Sequence, residues 1–193
     1  MQEDKCERCG KRSVRMTIMT YDKGVQETIC TDCFNEEMSE RYGVEDFKDF
    51  VRNYTAVDCN GVSHEFEINK RIMGTGVFWE AIEVNNGKDS GYEFNVHAEM
   101  DDEQHEAVQR LYDKIYKGLS NNYIYAKTYY GQKVYSIVKD EIVGRIEWHS
   151  EGDETVLIID GKQYSLEEFG EILRCREGFN FKMQIFDPTD DID

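Results

Sequence analysis

Cys6-Glu7-Arg8-Cys9 and, after twenty intervening residues, Cys30-Thr31-Asp32-Cys33 decide the reading of this chain. Within each pair a two-residue gap lets both sulfurs reach one tetrahedral ion. Two such pairs complete a shell of four thiolates, with no position left for water or substrate. The spacing predicts one structural Zn²⁺ held by Cys6, Cys9, Cys30 and Cys33. Lys5, Arg8, Lys11 and Arg12 crowd the first pair and offset the negative charge of such a centre. A redox dithiol or a disulfide is the rival for paired cysteines; it needs an oxidising compartment or a thioredoxin-like context, and the sequence shows neither. An iron–sulfur cluster also fits four cysteines.

The residues between the pairs support a finger. Val14, Met16 and Ile18 alternate with Arg15, Thr17 and Met19, which is strand periodicity. Asp22-Lys23-Gly24 is a turn signal, and Val25, Glu27 and Ile29 continue a return strand. Cys33 then enters a helical stretch with Phe34, Met38 and Tyr42 on one face and Gly43 as its stop. A knuckle, a hairpin and a second CxxC running into a helix resemble a treble-clef zinc finger. A second short helix, with Phe47, Phe50, Val51 and Tyr54 on one face, is expected to dock this module, which spans residues 1–54.

Residues 55–188 read as a separate α+β domain, followed by an acidic tail, 189–193. Three strands are expected around His64–Ile68, Gly76–Val84 and Tyr92–Val96, the second ended by Asn85-Asn86-Gly87. A helix capped by Asp101 or Asp102 carries the stripe Val108, Leu111, Tyr112, Ile115 and Leu119. Residues 120–132 read as irregular. Strands resume at Tyr135–Val138, Ile142–Trp148 and Val156–Ile159, with Ser150–Glu154 as a polar turn and Asp160-Gly161 as a tight one. Ser165 and Glu168 form a capping box for a helix over Leu166–Arg176, and Phe179–Ile185 alternates as a last strand. The expected architecture is a mostly antiparallel sheet packed with about two helices.

Composition bounds the function. Of 193 residues 39% are hydrophobic, with 12 Tyr and 10 Phe, enough for a packed core. No apolar run reaches bilayer length, and the polar start, Met1-Gln2-Glu3-Asp4, is unlike a signal peptide. A cytoplasmic protein is expected. The net charge is −17. It repels phosphate backbones and anionic membranes, so nucleic acid and membranes are not the expected partners. Cys59 and Cys175 stand alone and read as small buried hydrophobes.

No catalytic constellation emerges. His64, His97, His105 and His149 lack HExxH or HxH spacing, and a lone His is more often structural. Gly74-Thr75-Gly76 lacks the Gly-Lys-Ser/Thr ending of a phosphate loop and opens a strand. Glu80, Glu83, Arg145, Glu147 and Trp148 are the candidates for a polar pocket on the sheet. The competing reading makes them cross-strand ion pairs facing solvent. Lys11, Arg12 and Arg15 form a small basic cluster on the finger.

The runs Gly76-Val77-Phe78-Trp79-Glu80-Ala81, Gly91-Tyr92-Glu93-Phe94, Val143-Gly144-Arg145-Ile146-Glu147-Trp148, Ile159-Asp160-Gly161-Lys162 and Glu167-Glu168-Phe169-Gly170 resemble a family of uncharacterised bacterial proteins. That family joins an N-terminal four-cysteine, zinc-ribbon-like domain to an α+β domain of unknown function. The likeness implies a bacterial cytoplasmic protein and brings no activity or catalytic residue. The first expectation is a zinc-binding protein that acts as an interaction or adaptor module for another protein. A hydrolase or nuclease-like enzyme using carboxylates and His of the α+β domain is the second. Weak nucleic-acid binding through Arg12 and Arg15 is the third.

Overall fold

The computed structural model describes residues 4–13, 15–45, 50–84, 91–149 and 154–192. Val14, Phe47, the Asn85-Asn86-Gly87 turn signal and residues 150–153 lie outside the described residues. The chain is α+β; among the described residues there are three α-helices, and every strand pair is antiparallel.

Two short strands, β1 (Asp4–Lys5) and β2 (Arg12–Ser13), close the loop that carries the first cysteine pair. The expected hairpin follows as β3 (Met16–Thr20) and β4 (Gln26–Cys30). Gly24, at the end of its turn, takes a φ of 75° that a side chain would resist. Helix α1 (Thr31–Tyr42) starts directly after Cys30, its N-cap, and Gly43 ends it in the left-handed conformation.

Strands β5 (Asn53–Val57), β6 (Ser63–Met73), β7 (Gly76–Glu83) and β8 (Glu93–Ala98) form a four-stranded meander in chain order. Tyr54 therefore lies in a strand and not in a docking helix. The run Tyr54-Thr55-Ala56-Val57 has β-favouring residues, and its ladder with β6 sets Tyr54 opposite Phe66. Helix α2 (Gln104–Leu119) presses Ala107, Leu111, Ile115 and Leu119 onto the sheet at four-residue spacing. Asp102 is not its cap. The carboxylate accepts from the Glu99 N–H instead, and Glu103 occupies the N-cap without a side-chain bond.

The Tyr-rich stretch expected to be irregular holds β9 (Ile124–Tyr129), which pairs with β10 (Gln132–Ile137), a strand that takes in most of the one expected at Tyr135–Val138. The turn between them is Tyr130-Gly131, both at positive φ. Strands β11 (Arg145–His149), β12 (Glu154–Ile159) and β13 (Lys162–Ser165) make a three-stranded sheet. The Asp160-Gly161 turn joins the last two, again with both residues at positive φ. The Ser165–Glu168 capping box is formed and opens α3 (Leu166–Leu173), which tightens into a 3-10 turn over Arg174–Arg176. Residues 179–187 carry no strand pairing, so the alternation of Phe179–Ile185 does not make the expected last strand.

Buried residues gather in two clusters. One runs from Cys6 to Leu119, so finger, four-stranded sheet and α2 share a core; the other holds Ile124, Ile137, Ile159, Tyr164 and Ile172. At their junction Tyr92 lies over Gly161, where any Cβ would stand 2.8 Å from the ring.

The finger meets the sheet at a defined place. Beyond Asn53 the ladder between β5 and β6 stops, and Ile68 N–H still reaches Arg52 O. Further along that edge stand Lys70 C=O and Ile72 N–H. The amide of Asn35 on α1 takes both: Nδ2 donates to Lys70 O at 2.6 Å, and Oδ1 accepts from Ile72 N at 3.0 Å. Asn35 is buried, and its amide continues the ladder that β5 leaves unfinished. Replacing it strands a donor and an acceptor inside the core. Asn35→Ala is expected to cost about 2–4 kcal/mol in urea unfolding, whereas substitution at exposed Glu40 leaves the midpoint in place.

Candidate metal centre

The four cysteines converge. The first pair sits on the knuckle, where Cys6 N–H donates to Lys11 O and Gly10 N–H returns to Cys6 O. Gly10 makes that reversal at a φ of 73°. The second pair lies at the joint of β4 and α1, with Cys30 ending the strand and Cys33 in the first helical turn. Cys6 Sγ stands 3.8 Å from Cys33 Sγ, and Cys9 Sγ stands 3.7 Å from Cys30 Sγ. All four ligand atoms lie within 4.8 Å of one another. A disulfide needs sulfurs at about 2.05 Å, and none is formed. Sulfurs at about 2.3 Å from a tetrahedral ion are separated by about 3.8 Å, and the spacing here matches. The cluster can hold a metal ion.

Cys6, Cys30 and Cys33 are buried, while Cys9 is exposed. Burial alone raises the Cys6 thiol, but backbone N–H groups of Cys9, Cys30 and Arg8 outweigh it and bring it down to about 6. One of those bonds is Cys30 N–H to Cys6 Sγ at 3.3 Å. Burial pushes the Cys30 and Cys33 thiols up, and neighbouring sulfurs add to this. Backbone donors thus favour the thiolate form of Cys6, the form that binds a metal ion.

Arg8, between the first two cysteines, braces the site. It donates to Glu27 at 2.7 Å, Glu37 at 2.8 Å, the Tyr21 hydroxyl at 2.6 Å and Cys33 C=O at 3.4 Å. Its guanidinium holds both carboxyls below their usual range. Knuckle, hairpin and helix are thus tied together around the sulfurs by a charge-assisted network.

The candidate polar residues go to separate places. Glu80 pairs with Arg15 across the finger–sheet contact. That engages one of the three basic residues of the finger; Lys11 and Arg12 are exposed. Glu83 bonds His64 Nδ1 at 2.6 Å and accepts from Tyr92 N–H at 2.9 Å. Arg145 pairs with Glu147 and, at 3.5 Å, with Glu93. Trp148 is exposed. The charged candidates are ion-paired, but only Glu83–His64 joins neighbouring strands, and that pair is largely shielded from solvent. Of the other histidines, His97 Nε2 meets Thr75 C=O, His105 is exposed on α2, and His149 ends β11 opposite Glu154. Gly74-Thr75 is the turn between β6 and β7, and a Cβ on Gly76 would stand 2.3 Å from Ala98 O. Cys59 and Cys175 are exposed, not buried: one lies in the turn after β5, the other in the 3-10 turn after α3.

Sequence reasoning missed Lys70. Its side chain is buried, with the ammonium 4.7 Å from the Trp79 ring centre and 5.1 Å from that of Phe50. The alternation Phe66, Ile68, Lys70, Ile72 marks the position as inward-facing, the one signal that pointed to it.

Three families, each described as a domain of unknown function, match the chain in succession: DUF7685 over residues 5–45, DUF7686 over 48–120 and DUF7713 over 123–190. Together they tile the chain and support an uncharacterised family. The last boundary falls between α2 and β9, where the two buried clusters part. No curated protein and no solved structure matches the chain. Among the described residues no helix is long and apolar enough to cross a membrane.

His64 also bridges to Asp58, Nε2 lying 3.6 Å from the carboxylate. Burial raises the Asp58 carboxyl, but N–H groups of Val62 and Asn60, at 2.7 and 2.9 Å, with help from His64, hold it below the ordinary range. A lowered carboxyl contributes stability above its unfolded pKa of about 3.9 and loses it as pH falls through the folded value. The stability gap between wild type and Asp58→Ala, read from urea titrations, is therefore expected to stay level from neutrality to about pH 5 and to close below pH 4.

Proposed function

We propose that the chain is a zinc-stapled interaction protein. Cys6, Cys9, Cys30 and Cys33 hold one structural Zn²⁺ in a treble-clef finger, and the finger with its sheet forms a platform for another protein in the cytoplasm. The observation that carries this reading is the sulfur geometry: four Sγ atoms within 4.8 Å of one another, two of their separations at the tetrahedral value, and three of the cysteines buried. The order of knuckle, hairpin and helix supports the treble-clef assignment. Zinc is preferred to iron because a closed four-thiolate shell between two knuckle-like CxxC pairs serves folding and needs no electron transfer.

An adaptor is favoured over an enzyme by where the titratable groups stand. His64 is enclosed between Glu83 and Asp58 with little of its side chain exposed. The carboxylates put forward for acid–base work are engaged with Arg15, His64 and Arg145.

Metal analysis of the purified protein is expected to give one zinc per chain, and Cys33→Ser to abolish it. Chelation or Cys33→Ser lowers the melting temperature by many degrees, since the metal's binding energy is folding energy in such sites. A colourless, metal-free protein with an unchanged melting curve overturns the zinc reading; an iron centre is revealed by its visible absorption. Affinity capture from native lysate tests the platform. One partner recovered repeatedly, and lost with Cys33→Ser, supports it; repeated empty captures count against it.

A further inference from the structure

After α3 the chain does something that its sequence does not call for. Phe179, Phe181, Met183 and Ile185 alternate with Asn180, Lys182 and Gln184, which is strand chemistry, yet every residue from 177 to 188 is exposed. Phe181 is 91% exposed. Both ends of the segment are held. At its start Arg176 pairs with Asp140 at 2.9 Å and lies over the Phe179 ring. At its end Lys114 on α2 donates to Thr189 C=O at 2.7 Å and Asp190 C=O at 2.8 Å, while also bonding Asn95 C=O of β8. The result is a strap tied down at two points, with its apolar side facing water.

The same chain carries a matching surface. β11 is an edge strand, paired with β12 on one side only among the described residues. Its outward face shows Ile146 and Trp148, the latter 62% exposed, and Glu147 points to the other face. An open edge with exposed apolar residues invites strand addition. The period matches: apolar residues alternate on both strands, so a strap laid against β11 covers Ile146 and Trp148 with its Phe and Met side chains. Lys182 then falls on the face of Glu147. Charge agrees as well. Lys182 of the strap is opposite in charge to Glu147 of β11, whereas Arg174 and Arg176 are paired in their own chain with Glu171 and Asp140.

We infer that the strap pairs with the β11 edge of a second copy of this chain, reciprocally, to form a two-fold dimer. In its own chain the strap is held off that edge, as its exposure shows. Used twice across a two-fold axis, the contact covers on the order of 1,500 Å² of accessible surface, the size of a stable specific interface. Pinning both ends lowers the ordering cost of docking, because the strap is already extended. The inference stands apart from the metal site, and its test reads mass, not metal.

Sedimentation velocity on the full chain from about 1 to 100 µM is expected to show a two-chain species. Phe181→Asp and Trp148→Glu alter exposed positions, so each folds as the wild type does by circular dichroism. Each is expected to weaken the dimer at least about thirtyfold, as the loss of a central anchor does. A wild-type chain that stays single across the range overturns the inference and leaves the strap to a different protein. A dimer that survives either substitution also overturns it, since the strap and the edge must both take part.

Discussion

The finger is built around one point, where four cysteine sulfurs converge within 4.8 Å and can hold a metal ion. Its hairpin strands are five residues each and its helix has twelve. The buried apolar residues of that region are Cys6, Ile29, Cys30, Cys33, Phe34 and Met38, so half of them are the cysteines themselves. Too little hydrocarbon is enclosed there to offset the entropy of ordering the chain. Cys6 and Cys33 are 27 residues apart, and a metal ion bridging them would remove a large part of the unfolded chain's freedom. Arg8 adds the directional contacts, drawing Glu27 of the hairpin and Glu37 of the helix to the knuckle.

From that point order is handed to the sheet. The helix fixed by Cys30 and Cys33 carries Phe34 and Asn35 to β6. Phe34 lies beneath the Arg71 guanidinium, and Asn35 closes the edge of the strand. β6 is the longest strand and the one against which β5, β7 and α1 are all placed. The second cluster joins by other means. Tyr92 covers Gly161 and Arg145 reaches Glu93, while inside the second cluster the Asp160 carboxylate accepts from the Tyr123 and Ile124 N–H groups. Burial raises the Asp160 carboxyl even so.

Features set by neighbouring residues were legible in the sequence. The cysteine spacing, the Gly43 stop, the Asp160-Gly161 turn and the Ser165–Glu168 box each depend on a few adjacent side chains. Features set by distant partners were not. Asn35 looks like any polar residue on a helix until the end of β5 leaves an edge open beside it, 35 residues further on. The β9–β10 hairpin was hidden because Tyr, Asn and Lys carry a weak hydrophobic alternation, although their packing on α3 favours strands. Phe179–Ile185 shows the converse: alternation is a property of the segment, whereas a strand needs a neighbour. Cys59 and Cys175 came out exposed for a similar reason, since the burial of a lone thiol depends on what the fold brings to it.

The Asn35 bridge has a consequence for how this architecture can be cut or recombined. A finger joined to its neighbour by a flexible tether is a cassette: it can be excised or transplanted, and each piece keeps its own stability. Here the sheet borrows two of its ladder bonds from the finger. A shortened chain starting at β5 exposes the Lys70 carbonyl and the Ile72 amide, along with the apolar surface that Phe34 and Met38 cover. The finger is thus a missing edge strand supplied in helical form, and each part loses contacts when the other is removed.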